Sequence, residues 1–154
     1  TALRMVPHLA ARQDLTILTN GAKAALALAE LRRFRVYGTG GILRDNSLSF
    51  VGPRALDFLR SFHADRVFFS TRAFSLEKGV TDVSEEEAEL RRAMLDQARE
   101  AVYLCDSSKL GTVSFSFVCP ASRLDVLVMD RPAGLPADAL AEALRAPGVR
   151  LELV

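Results

Sequence analysis

The chain has 154 residues, 49% of them hydrophobic and 25% charged, with a formal net charge of +1. That length suits a single domain able to bury a core without disulfides or metals, and the composition is neither disordered nor fibrous. Charges of both signs are interspersed, leaving no basic stripe to grip nucleic acid, and the longest apolar runs fall well short of the roughly 20 residues that cross a bilayer.

The opening segment reads as a helix. Thr1 is a good N-cap, and Leu3, Val6, Leu9 and Ala10 form an apolar stripe, with Pro7 imposing a kink or a late start. Residues 15–19 read as a buried strand. Asn20 and Gly21 follow, with Asn20 as the expected cap of an alanine- and leucine-rich helix over 22–31. The next strand, 34–37, stops at Gly38-Thr39-Gly40-Gly41, a run permissive enough to bring backbone close to a ligand. Residues 42–50 read as irregular and partly extended, turning at Asp45-Asn46.

Gly52-Pro53 starts a helix through Phe62 with Ala55, Leu56, Leu59 and Phe62 on its inner face. A strand over 66–70 leads into 71–83, read as a loop whose length marks it as functional. Ser84 and Glu87 form a capping box for a helix reaching Arg99 or Glu100, with Leu90, Met94 and Ala98 buried. Then come a strand over 101–105, a loop over 106–111, strands over 115–118 and 125–129, a helix over 136–146 and a last strand over 149–154.

Strands separated by helices predict an α/β fold with a mostly parallel, Rossmann-like sheet covered by helices on both faces. Such a unit normally begins with a strand and its ligand turn, so a first strand is expected upstream of Thr1 and the chain reads as a fragment. Cys105 and Cys119 lie in apolar runs with no Cys-x-x-Cys and no Cys/His cluster. They read as core residues of a protein in a reducing, cytoplasmic setting with no metal. The first residues do not have the pattern of a signal peptide.

Open α/β sheets hold ligands outside the C-terminal ends of their strands, which makes the strand exits the informative positions. Asp106-Ser107-Ser108-Lys109 follows the apolar strand and offers an ammonium for a small anion, with the Asp106 carboxylate beside Lys109 to fix its position. An ordinary loop exit with a solvated lysine is the alternative. Thr19-Asn20-Gly21 opens a helix and serves either an anion or simply the cap. Gly38-Thr39-Gly40-Gly41 lacks the G-x-G-x-x-G spacing of dinucleotide sites, and no cofactor is expected. Lys78-Gly79-Val80-Thr81 could pair a phosphate over a backbone nest or place Lys78 in solvent. Glu85-Glu86-Glu87 complements a helix dipole better than it makes a metal site. Arg91 and Arg92 read as that helix's solvated face. His8 and His63 have no nucleophile or carboxylate grouping that makes a triad, so no catalytic residue is assigned.

Together, Leu18-Thr19-Asn20, Gly40-Gly41-Ile42-Leu43-Arg44, Phe50-Val51-Gly52-Pro53, Ala64-Asp65, Gly79-Val80-Thr81 and Asp106-Ser107-Ser108-Lys109-Leu110-Gly111 resemble, in order and spacing, the C-terminal sensor domain of DeoR-family transcriptional regulators. The resemblance implies an effector-binding domain over 1–154, similar in fold to ribose-5-phosphate isomerase and CoA-transferase-like domains. It implies a bacterial regulator of sugar catabolism, usually a repressor and a homo-oligomer, that binds a phosphorylated sugar here and DNA only through an N-terminal helix-turn-helix absent from this sequence. It carries ligand contacts onto Thr1, Thr19, Asn20, Gly40, Gly41, Lys78, Thr81, Glu87 and Lys109, with Thr1 ending a phosphate loop that begins upstream. The chain departs from the family at Phe69-Ser70-Thr71-Arg72-Ala73. The isomerases carry proton-shuttling aspartates there, whereas residues 70–76 hold no Asp or Glu. A sugar-phosphate isomerase of the same fold is the alternative to a sensor.

Overall fold

A computed structural model of the chain describes residues 2–132, 137–145 and 147–154. They form two compact units, Ala2–Phe62 and His63–Val154.

In the first unit a 3-10 turn, Ala2–Met5, leads into a short helix α1, Val6–Leu9. The helix starts late, which seats Pro7 in its first turn, where a missing N–H costs nothing. Strands β1 (Thr16–Thr19) and β2 (Arg35–Gly38) pair in parallel around helix α2 (Ala22–Glu30), with Thr19 opposite Gly38. Gly21, not Asn20, holds the N-cap position of α2 and makes no side-chain cap. Asn20 is drawn elsewhere: its carbonyl accepts from the Phe50 N–H at 2.7 Å and its side-chain amide donates to the Phe50 carbonyl at 3.4 Å.

The segment expected to be irregular is an antiparallel hairpin of β3 (Ile42–Leu43) and β4 (Phe50–Val51). Its connection is tied by Leu48 N–H to the Arg44 carbonyl at 2.9 Å and by the Ser47 and Ser49 hydroxyls at 2.7 Å. Helix α3 (Pro53–Arg60) buries Ala55, Leu56 and Leu59 as its spacing predicts. Phe62 lies beyond the helix, its ring against Phe58 and Tyr37.

The second unit runs β5 (Ala64–Phe69), β6 (Ala73–Ser75), β7 (Gly79–Asp82), α4 (Glu85–Asp96), β8 (Ala98–Cys105), β9 (Ser116–Cys119), β10 (Val126–Met129), α5 (Ala137–Arg145) and β11 (Arg150–Leu153). Four of these strands form a parallel sheet in the order β11-β10-β8-β5, the Rossmann-like arrangement that the alternation predicts. Its core gathers Tyr103 from β8, Leu127 and Met129 from β10, and Leu140 and Leu144 from α5. Cys105 and Cys119 are free and buried.

Helix α4 stops at Asp96, short of the expected Arg99 or Glu100. Pairing with β5 recruits the next residues into β8: Ala64 N–H donates to the Gln97 carbonyl at 2.8 Å, Ala64 lies opposite Ala98, and Arg66 pairs with Glu100. The expected loop over 71–83 is instead the hairpin β6-β7, extended by β9 into a three-stranded antiparallel sheet. Phe74 and Val80 lie opposite each other, and burying both drives that pairing. Of the helix expected over 136–146, residues 136 and 146 lie outside the described residues. No helix among the described residues is long and apolar enough to cross a membrane.

Candidate functional site

Adjacent parallel strands β5, β8 and β10 end along one edge of the sheet, so Ser70, Asp106 and Asp130 leave it together. Asp106 caps a single 3-10 turn, Ser107–Lys109, its carboxylate accepting from the Ser108 N–H at 3.1 Å and hydroxyl at 2.6 Å. From the next strand exit, the Asp130 carboxylate accepts from both the N–H and the hydroxyl of Ser107 at 2.6 Å. The Ser107 hydroxyl, and then its N–H, hold the Asp130 carboxyl below its ordinary value.

The turn thus fixed sends Lys109 across to β5, where its ammonium donates to the Ser70 hydroxyl at 3.1 Å. Lys109 is half-buried, and among the described residues its ammonium has no carboxylate partner. Asp106 positions Lys109 through the backbone of the turn, a different route from the expected side-chain pairing.

A buried charge network lies behind Ser70. Arg91 does not belong to the solvated face of α4. Its Nε donates to the Ser70 carbonyl at 3.0 Å and its Nη1 to the Glu87 carbonyl at 2.9 Å and the Glu87 carboxylate at 2.8 Å. Asp82 Oδ2 stands 3.6 Å from the same Nη1. The Asp82 and Glu87 side chains are only 5% and 6% exposed, and burial at that depth demands a paired cation. The Glu87 to Arg91 spacing, i to i+4, is the one sequence signal of this network. Arg92 stays closer to the surface, bound to Glu85 and the Phe117 carbonyl.

Beside Ser70, Thr71 is buried with its hydroxyl 2.7 Å from that of Tyr103 and 3.2 Å from the Ala73 carbonyl. Since Thr71 has one hydroxyl proton and the carbonyl can only accept, Tyr103 donates to Thr71 and Thr71 to Ala73. Burial raises the Tyr103 phenol above its usual pKa.

Thr81 lies opposite Ala73 on β7, and its hydroxyl accepts from the Ser114 N–H at 2.8 Å. Lys78 sits in the exposed hairpin turn at the other end of β7, paired with Glu77 at 2.8 Å. Lys109, Ser70, Thr81 and Glu87 therefore gather toward one end of the hairpin, away from Lys78.

In the first unit, the Thr39 N–H donates to the Thr19 carbonyl at 3.1 Å, so the Thr19-Asn20 and Gly40-Gly41 turns meet at the C-terminal ends of β1 and β2. At Gly40 a Cβ would meet nothing within 4 Å. At Gly41, with φ +106°, it would fall 2.6 Å from the Val51 carbonyl oxygen, so close packing against β4 requires glycine there. Thr1 lies outside the described residues. Among those described, no group of three or more His, Cys, Asp or Glu could hold a metal.

An open, mostly parallel α/β sheet with polar strand exits defines the class of folds that take small ligands at the C-terminal edge. Comparison with known proteins narrows that class. The model of the DeoR C-terminal sensor domain matches residues 1–131, and the chain belongs to the DeoR family. It is 38% identical over 141 residues to a protein of Escherichia coli O157:H7 named for repression of the aga operon, covering 92% of this chain and 51% of that one. To the HTH-type transcriptional repressor GlcR of Bacillus subtilis it is 32% identical, over 90% of this chain and 52% of the repressor. The regulator YulB of the same organism is 35% identical, over 76% of this chain and 45% of that protein. These relatives are named as transcriptional regulators, not enzymes, and the chain spans about half of their length. Among solved structures, a variant of the decarboxylase AibA/AibB overlaps 99% of this chain and 85% of its own, with a TM-score of 0.48 and 18% identity, too distant to bear on function.

Proposed function

We propose that this sensor domain, acting over residues 1–154, binds a phosphorylated sugar and that occupancy alters DNA binding by an N-terminal domain of the full regulator. The observation that carries the reading is Lys109: a half-buried ammonium at the strand-exit edge, held by the neutral Ser70 hydroxyl and, among the described residues, with no carboxylate in ion-pair contact. A phosphate supplies what that ammonium lacks. The Asp106 and Asp130 carboxylates are engaged with Ser108 and Ser107, so the serines of the turn present it rather than compete for the ligand.

The names of the aga operon repressor and GlcR support a transcriptional repressor, and the family resemblance points to sugar catabolism as what it controls. The regulator works in the cytoplasm as a homo-oligomer, whose geometry the ligand shifts by binding one arrangement more tightly than another. Thr1, Thr19, Asn20, Gly40, Gly41 and Thr81 are the further candidate contacts, with Lys78 and Glu87 the least direct.

A thermal-shift panel of phosphorylated sugars on the full-length regulator tests this. The right ligand should stabilise by about 2.7 kcal/mol at a hundredfold excess over its Kd, and Lys109→Ala should abolish the shift. Stabilisation by no phosphorylated sugar sinks the reading.

A further inference from the structure

We propose that Arg91 is the positioning residue of the anion site at Lys109, an inference that rests on the reading just given. Ser70 joins the two halves of the arrangement: its hydroxyl receives Lys109 Nζ at 3.1 Å and its carbonyl receives Arg91 Nε at 3.0 Å. No other side chain of the second unit has a hydrogen bond to Ser70 among the described residues, so these two cations set its orientation.

Arg91 does not itself serve the ligand. Its guanidinium faces two deeply buried carboxylates, Glu87 at 2.8 Å and Asp82 at 3.6 Å, which together more than cancel its charge. What remains is geometry. The planar fork grips the exit of β5 through Ser70, the end of β7 through Asp82 and the first turn of α4 through Glu87, three anchors that a single ammonium cannot hold at once. Arg91 thereby fixes the face Ser70 shows to Lys109, and of these two cations Lys109 is the one with no carboxylate in ion-pair contact among the described residues. Binding of an anion depends on Arg91 although Arg91 does not touch it.

The test measures the Kd of inorganic phosphate, by 31P NMR titration of the full-length protein, together with melting temperature, for Arg91→Lys, Ser70→Ala, their double variant and Lys109→Ala. Arg91→Lys should weaken phosphate about tenfold, the scale of one lost charge-assisted hydrogen bond. In the Ser70→Ala background the same change should add little. A merely structural arginine would lower the melting temperature and leave both the Kd and that coupling unmoved, which would overturn the proposal.

If Lys109→Ala also leaves the Kd unchanged, the anion reading itself fails. The proposal is then decided by the acylation rate of the Lys109 amine, followed by mass spectrometry. It should rise in Ser70→Ala and in Arg91→Lys, and an unchanged rate in Arg91→Lys refutes positioning. Should Arg91→Lys not fold, Asp82→Asn, which loosens one anchor of the same fork, replaces it with the same expected directions.

Discussion

Gly79 opens β7 at φ +75°, and a Cβ there would stand 2.3 Å from the Cys119 carbonyl oxygen and 2.9 Å from Pro120 Cα. Both atoms are backbone, so no rotamer change relieves the contact. Gly79→Ala therefore carries two costs: about 1–2 kcal/mol for placing a Cβ in the left-handed region and about 1–3 kcal/mol for forcing β7 and β9 apart. Gly111 is the control. Its φ is +81°, but a Cβ there meets nothing within 4 Å, so Gly111→Ala carries the first cost alone. The entropy that alanine removes from the unfolded chain is the same in both variants and cancels. At about 2–4 °C per kcal/mol for a chain of this size, Gly79→Ala should melt about 2–12 °C below Gly111→Ala, read by calorimetry or circular dichroism. If the two variants melt together, Gly79 does not pack against the β9 backbone and the hairpin assignment of residues 73–82 is wrong.

Thr71→Val strands the buried Tyr103 hydroxyl and should cost about 1–3 kcal/mol in urea unfolding, against about 0.5–1.5 kcal/mol for Tyr103→Phe, with the double variant costing less than the sum; strictly additive costs would mean that the two hydroxyls do not pair. The Asp130 carboxyl is lowered from 3.8 by its hydrogen bonds to Ser107, so its contribution is present above that value and lost as pH falls through the lower folded one. Asp130→Asn should accordingly lower the melting temperature near neutral pH and make progressively less difference as pH falls below 3.8; a penalty that does not shrink on acidification would refute an ionised Asp130 as the clasp on the turn.

Where sequence and structure agree, local signals suffice. The apolar runs of β5, β8 and β10 and the i, i+3 stripe of α3 carry their own evidence, and they are enough to define a mostly parallel α/β sheet. The differences arise where a distant partner decides. Residues 97–100 suit a helix, yet β5 offers them a ladder and the strand wins. Residues 73–75 are too few to display alternation, and only Phe74 facing Val80 in the core makes them a strand. Arg91 follows the polar side of the α4 pattern, but Asp82, nine residues earlier and on another element, helps to pull it inward. For the candidate site, the strand-exit position of Lys109 is legible because the apolar run before it is unmistakable. Its partner Ser70 is not, since a serine 39 residues away carries no mark of where it will point.

The choice of partner for Lys109 bears on what the edge can do. A lysine paired with a carboxylate would have its charge met within the protein, and an incoming phosphate would have to break that pair and leave a carboxylate exposed to its own negative charge. A hydroxyl orients the ammonium without neutralising it, so an anion can bind without displacing a competing charge. Among the described residues, the carboxylates around this end of the sheet are otherwise engaged: Asp106 and Asp130 on the serines of the turn, Asp82 and Glu87 on Arg91. Glu87 in particular spends an oxygen on Arg91 at 2.8 Å, where a general base for enolising a sugar would need it free to take a proton. On the proposed reading, an ammonium held by a hydroxyl, beside carboxylates already hydrogen-bonded to other groups, suits reversible capture of an anion better than its turnover. That is the division the proposed sensing role needs, because there occupancy of the site would be the signal and a product would erase it.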